Sequence, residues 1–274
     1  MAVEFRGVKN LVFAEVTKDD ESGYVTGEVR SLAPVAEISK SVETSSEAHY
    51  YDNKAAIIID TEGSDTVSFT IAVPDDETFA MITGRTYDST SKRFIESKRV
   101  QRYFAVGYVL GEIGEGEDER YVWRYKGTFN IPEETSATEN DGTDANNLTL
   151  EYTGIYTSYE FANGKGTGLA GSAKAMFIRK SDEVATQSQF FASVATPDTV
   201  FPAYTLTITQ AANTTVSVTR NGVPLSSGAV IFEGDELKIT VTGGTVKVNG
   251  ASFTSGNTMD VLGDTTVVST AAGG

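Results

Sequence analysis

The chain has 274 residues, enough for one large or two modest domains with real cores, and its 38 acidic against 22 basic side chains give a net charge of −16. That balance argues against a phosphate-binding surface, because neutralising a nucleic-acid backbone needs a basic face. With no cysteine and one histidine, His49, disulfides and thiolate chemistry are ruled out and the common zinc sites and histidine-dependent nucleophile triads nearly so. The one enzymatic chemistry left is a carboxylate pair of the glycosidase kind, which 38 acids do not single out.

In chain order, the start MAVEFRGVKN carries Glu4, Arg6 and Lys9 where a signal peptide would need an apolar core. The longest aliphatic run, 55–59, is far too short to cross a bilayer. The expectation is a soluble protein made in the cytoplasm. Alternating segments bounded by Gly, Asn, Asp and Ser predict strands at 10–16, 25–31, 56–60, 66–72, 102–110, 120–130, 147–152 and 173–180. The polar stretch 36–53 has little to bury and reads as a long arm that becomes ordered against a neighbouring subunit; His49 within it reads as a solvated or interface side chain. One short helix is predicted over 74–84, with Asp75 as cap, Asp76 and Glu77 in the first turn, Phe79 and Ile82 on one face and Gly84 as terminator.

Segment 102–110 is apolar on both faces, Tyr103, Ala105 and Val109 on one and Phe104, Val106, Tyr108 and Leu110 on the other, so it belongs inside a packed sheet. An acidic loop with Glu112, Glu115, Glu117, Asp118 and Glu119 separates it from RYVWRYKGTF, 120–129, which holds the only tryptophan. Aromatics interleaved with Arg and Lys could mark a nucleic-acid groove, but strict alternation is the ordinary strand signal. The pair therefore reads as a hairpin whose Tyr121, Trp123, Tyr125 and Phe129 enter a shared core with Phe104 and Tyr108, while Arg124 and Lys126 face acidic surface or solvent. The acidic loop reads as a hairpin loop rather than a calcium site, and ENDGTDANN, 139–147, lacks the full spacing and terminal Glu of a calcium loop.

Beyond Phe201 the texture changes to Thr/Val-rich alternations with turn signals at Asn221-Gly222, Glu233-Gly234 and Gly243-Gly244. Residues 1–200 carry 19 basic and 33 acidic side chains, residues 201–274 only 3 and 5. With Pro197 and Pro202 marking a linker, the chain divides into a first domain, 1–200, and a small β-sandwich, 201–274. The second should close its own core around Leu206, Val218, Ile231, Leu237, Ile239 and Val246.

FAVGYVLG, the acidic Gly-rich loop and RYVWRYKGTFNIPEETSATEND together resemble the major tail tube proteins of long, flexible-tailed bacteriophages of Gram-positive hosts. GVKNLVFAEV, SSEAHYYDNKA, VSFTIAVPDDETFAMITG and AMFIRKSD extend the resemblance over most of residues 1–200, and TRNGVPLSSGAVIFEGDELKITV is similar to bacterial immunoglobulin-like repeats. The resemblance implies an all-β, non-enzymatic virion protein without cofactors or metals. Its fold would be an antiparallel β-sandwich or barrel with one short helix and long arms, followed by an Ig-like decoration domain on the tube exterior. Hexameric rings of the protein would be assembled in the host cytoplasm and stacked into a hollow tail tube. Its partners would be further copies of itself, the tape-measure protein, the tail terminator and distal tail or baseplate proteins, with DNA passing through a negatively charged lumen without specific binding. Within that frame, Glu43, Glu47, His49, Tyr50, Tyr51, Asp52 and Lys54 are expected to contact the next ring, and Lys92, Arg93, Lys98 and Arg99 to pair with acids at subunit contacts. The competing reading is an extracellular β-sandwich adhesin or carbohydrate-binding protein, for which Trp123 or Tyr50 and Tyr51 would provide exposed aromatics.

Overall fold

The computed structural model describes residues 4–51, 54–114, 116–133 and 147–272, with the backbone alone for 49–51, 54–57 and 59. Asp52, Glu115 and nearly all of the acidic stretch 139–147 lie outside the described residues. The chain is all-β with two short helices, and it separates into two compact units, Met1–Asp182 with Gln187–Thr199, and Glu183–Thr186 with Val200–Gly274.

The first unit contains β1 (Glu4–Asp20), β2 (Gly23–Thr26), β3 (Arg30–Ser31), β4 (Val35–Tyr51), β5 (Lys54–Ile71), α1 (Asp76–Thr83), β6 (Thr86–Asp88), β7 (Arg93–Ile95), β8 (Phe104–Ile113), β9 (Glu117–Phe129), β10 (Leu148–Ile155), β11 (Ala175–Arg179) and α2 (Gln187–Ala192). Nine of these strands form one antiparallel sheet in the order β2-β1-β8-β9-β10-β5-β4, with β3 also on β1 and β11 also on β9. The sheet folds back so that β4 packs against β1. Its enclosed face buries Leu11, Phe13, Val67, Phe69, Ile71, Phe104, Val106, Tyr108, Phe129, Leu150 and Tyr152, closed off by Ile82 of α1 and by Leu32 and Ala33.

Helix α1 forms as its sequence dictates. The Asp75 carboxylate accepts from the Thr78 amide at 3.0 Å, and Gly84 takes φ 70°, where a side chain is disfavoured, to close the last turn.

Within the polar stretch expected to be an arm, residues 36–51 form most of β4, paired with β5 through a register that shifts at Val35–Glu37, Val42–Thr44 and His49–Tyr50. Hydrophobic alternation is missing there because residues 41–48 are exposed on both faces, yet the ladder satisfies the backbone without side-chain burial. The predicted strands 56–60 and 66–72 are one continuous strand, β5. Segment 25–31 breaks instead into β2 and β3. A second helix, α2, stands where the sequence predicted none.

Strands β8 and β9 form the expected hairpin, with a difference. The register runs Val109↔Tyr121, Gly107↔Trp123 and Val106↔Arg124, then jumps to Phe104↔Gly127, so Tyr125 and Lys126 together oppose Ala105. One extra residue in a strand reverses which face later side chains take. Tyr121, Trp123 and Tyr125 therefore pack on the outer face, under Phe190 and Phe191 of α2 and against Phe161 and Tyr24. Phe129, by contrast, sits in the enclosed core against Phe104 and Tyr152. The expected single shared core is thus two layers, and Arg124, expected at the surface, lies on the enclosed face. At the same bulge the neighbour of β9 changes from β11, paired to 120–124, to β10, paired to 126–129.

The second unit is a sandwich of β12 (Ala203–Thr209), β13 (Thr215–Arg220), β14 (Val223–Leu225), β15 (Val230–Phe232), β16 (Glu236–Thr242), β17 (Gly244–Val248), β18 (Ala251–Phe253), β19 (Thr258–Asp260) and β20 (Thr265–Ala271). One sheet runs β15-β12-β20-β17-β18, the other β14-β13-β16-β19, and only β12 and β20 pair in parallel. Leu206, Val218, Ile231, Leu237, Ile239 and Val246 all lie in its core, joined by Val261 and Val267.

Candidate assembly surface

The β4–β5 hairpin outruns the sheet that carries it. Strand β10 covers β5 only from Ile71 to Asp65, whereas β4 and β5 continue together through eight further pairs, from Thr44↔Glu62 to Tyr51↔Lys54. At about 3.3 Å per residue the free ribbon reaches roughly 25 Å. Of its described side chains, Glu47, Ile58 and Asp60 are exposed, Ile58 at 64%. Two strands alone are marginal in water, and β4 is also the last strand of the sheet, with an edge open to pairing.

The root of this ribbon is fixed by charge. Asp65, almost fully buried, receives Arg124 at 2.9 Å, Lys40 at 3.0 Å and Lys174 at 3.1 Å. Lys174 also reaches Glu62 at 2.7 Å and the Gly63 carbonyl at 2.6 Å, and Arg124 donates to the Tyr108 hydroxyl at 3.1 Å. Burial alone would raise the Asp65 pKa, but the Lys40 and Lys174 hydrogen bonds outweigh it and hold the carboxyl below its ordinary value. For Lys174, burial acts to lower the pKa, and Glu62 and Asp65 overcome it and raise it. The bulge in β9 contributes directly, since the freed Tyr125 amide donates to the Lys174 carbonyl at 2.9 Å and sets that residue's place.

At the other end of β9, buried Glu112 is bound by Arg120 and, at 3.0 Å, by Arg179. The Arg120 guanidinium lies over the exposed rings of Phe5 and Phe177, 5.1 and 4.2 Å from their centroids. On the outer face Lys126 pairs with Asp19, which also accepts from the Ser158 and Tyr159 amides. Burial would raise the Asp19 pKa; Lys126 and the two amides together hold it low. Tyr121 is pushed up to about 12, by burial first and then by Glu119 and Asp118.

The residues singled out from sequence distribute unevenly over this frame. Glu43 and Glu47 lie on β4, and the backbones of His49, Tyr50, Tyr51 and Lys54 belong to the ribbon's outer end. Lys92, Arg93, Lys98 and Arg99 are exposed around the β6–β7 hairpin, and Arg99 donates to the Phe129 carbonyl within the same chain. Phe104, Tyr108, Tyr121, Trp123, Tyr125 and Phe129 are all buried, split between two layers. Trp123 is fully buried with its indole N–H on the Phe190 carbonyl at 2.9 Å, so it is no exposed platform for a sugar or a base. Sequence reasoning missed Asp65, Lys174, Lys40 and Glu62, since Asp65 stands 59 residues from Arg124 and 109 from Lys174 and no local spacing marks them. Among the described residues no group of three or more His, Asp or Glu is placed to hold a metal ion, and no helix is long and apolar enough to cross a membrane.

A scan against protein-family models finds no match for the chain, and a search of curated proteins finds none either.

Proposed function

We propose that this chain is a structural subunit that self-assembles into stacked rings forming the hollow tail tube of a long-tailed bacteriophage, with no catalytic role. The observation that carries the reading is the β4–β5 ribbon: eight rungs of two-stranded hairpin that run on beyond the end of β10, anchored at their root by a buried ion cluster. An element so rigidly held at one end and so poorly stabilised at the other gains most when a second copy covers it. Closed rings also remove the open edge of β4, since cyclic symmetry presents each edge to a neighbour. The acidic composition fits a wall past which DNA slides without sticking. Other copies, the tape-measure protein and the proteins capping each end of the tail are the partners this role requires, and the virion is its destination.

Negative-stain microscopy and light scattering of the concentrated protein test the reading. Rings or tubes are expected. A chain that stays monomeric at high concentration and leaves no regular particles on the grid overturns it.

A further inference from the structure

Asn-Gly occurs three times in this chain, at 163–164, 221–222 and 249–250. This dipeptide is chemically labile because glycine leaves its own amide nitrogen open to attack the preceding carboxamide. The three copies sit in different restraints. Asn163 is tied at both ends: its side-chain oxygen accepts from the Gly168 amide at 2.9 Å, and its nitrogen donates to Asp198 at 3.1 Å.

The other two form a closer comparison. Each is the complete two-residue loop of a hairpin in the second unit, Asn221-Gly222 between Arg220↔Val223 and Asn249-Gly250 between Val248↔Ala251. Their backbones match, with φ 52° and 80° at the first and 50° and 81° at the second, the conformation of a tight hairpin turn that accepts Asn followed by Gly. Both asparagines are exposed. They differ in the side chain. The Asn249 carboxamide oxygen accepts from the Thr266 amide of β20 at 2.8 Å, which holds it away from its own glycine, whereas among the described residues none hydrogen-bonds the Asn221 side chain.

We propose that Asn221 is a self-modification site, at which the chain deamidates selectively in its folded state. The Gly222 amide nitrogen, losing its proton to solvent base, attacks the Asn221 side-chain carbonyl carbon. The carboxamide C–N bond breaks, ammonia leaves with a proton from water, and a five-membered succinimide remains. Water then opens that ring at either carbonyl, giving aspartate or isoaspartate. The product places a carboxylate beside Arg220, which already binds Asp235 at 2.9 Å and Glu183. Aspartate fits the turn, since Asp shares with Asn the tolerance of positive φ. Isoaspartate inserts a methylene into the main chain of a two-residue loop and pulls the Arg220↔Val223 register apart. This inference does not depend on the assembly reading.

The test is peptide mapping by mass spectrometry after the intact folded protein is held at mildly alkaline pH, with a parallel sample in guanidinium chloride. In the folded sample, residue 221 should show the mass gain of exchanging an amide nitrogen for a hydroxyl oxygen severalfold faster than residues 163 and 249. In the denatured sample the three sites should convert at similar rates. Asn221→Gln should abolish the new acidic species on anion exchange. An Asn221 that persists as long as Asn249 in the folded protein overturns the proposal, and so does a preference for 221 that survives denaturation.

Discussion

Arg124 and Asp65, 59 residues apart in the chain, meet at 2.9 Å beneath the root of the β4–β5 ribbon, both of their side chains almost fully buried. The contact joins the middle of β9 to the point where β5 leaves the cover of β10. Removing one member of such a pair leaves the other charge stranded, at a cost of about 3–5 kcal/mol. Asp65→Asn should show the upper end of that range, because Arg124 and Lys40 lose their only carboxylate among the described residues and Lys174 keeps only Glu62. Arg124→Met should cost less, because Lys40 and Lys174 remain on Asp65. Urea denaturation midpoints of the two variants check the order; equal midpoints would show that the cluster does not act through Asp65.

Acid should unlock the same cluster. The folded-state pKa values of Asp65 and Asp19 lie below the ordinary aspartate value, so the unfolded chain binds protons first as pH falls. Their contribution to stability is complete above about pH 4–5 and is lost as pH drops through the unfolded and then the folded values. Melting temperatures should therefore hold steady from neutrality to about pH 5 and fall below it. Asp65→Asn and Asp19→Asn should each start lower and fall less steeply, and a parent-like slope in both would contradict the assignment.

Gly127 is a packing prediction. A Cβ there would lie 2.3 Å from the Tyr152 ring and 2.4 Å from the Thr153 carbonyl. Gly127→Ala should lose about 1–3 kcal/mol or more, while Gly116→Ala, with nothing within 4 Å of its added methyl, should stay within about 0.5 kcal/mol of the parent. Thermal melts of the pair suffice to decide.

Hydrogen exchange addresses the ribbon. Amides of 44–51 and 54–62 should exchange fast in the isolated subunit, since only their partner strand protects them, and slow in assembled particles. Ordering such a segment costs roughly 1–2 kcal/mol per residue, which only contacts with another copy can offset. Equal protection in both states would remove the ribbon from the interface.

Residues 1–200 expressed alone should fold and, on the proposed function, still assemble. The second unit closes its own core around Leu206, Ile239 and Val267, and a unit with its own core shares little of its stability with a neighbour. Thinner but regular particles are expected. An unfolded or unassembled truncation would make the second unit part of the wall.

What could be read from the sequence was what alternation encodes. The β8–β9 hairpin was legible because Phe104 to Val109 and Tyr121 to Tyr125 are buried on alternating or both faces. The α1 cap, the change of texture near residue 200 and the six core positions of the second unit were legible for the same reason: local chemistry decides them. Strand β4 was hidden because residues 41–48 are exposed on both faces and leave no pattern. The Asp65 cluster was hidden because it is assembled by topology: β11 must pair with β9 to bring Lys174, the residue before it, onto Asp65. Alternation puts Arg124 on the face opposite Trp123, but only the folded-back sheet makes that face an enclosed one.

The bulge at Tyr125–Lys126 acts as a phase shifter. Upstream of it β9 delivers its odd-numbered side chains to the outer layer, downstream to the enclosed core, so one strand serves both layers without a break. A strand built this way tolerates a change of side chain far better than a change of count. Inserting one more residue beside Lys126 would swing Phe129 out of the enclosed core and slide β9 out of step with β10, disrupting two layers at once, whereas deleting Lys126 would remove the bulge and keep Phe129 inside.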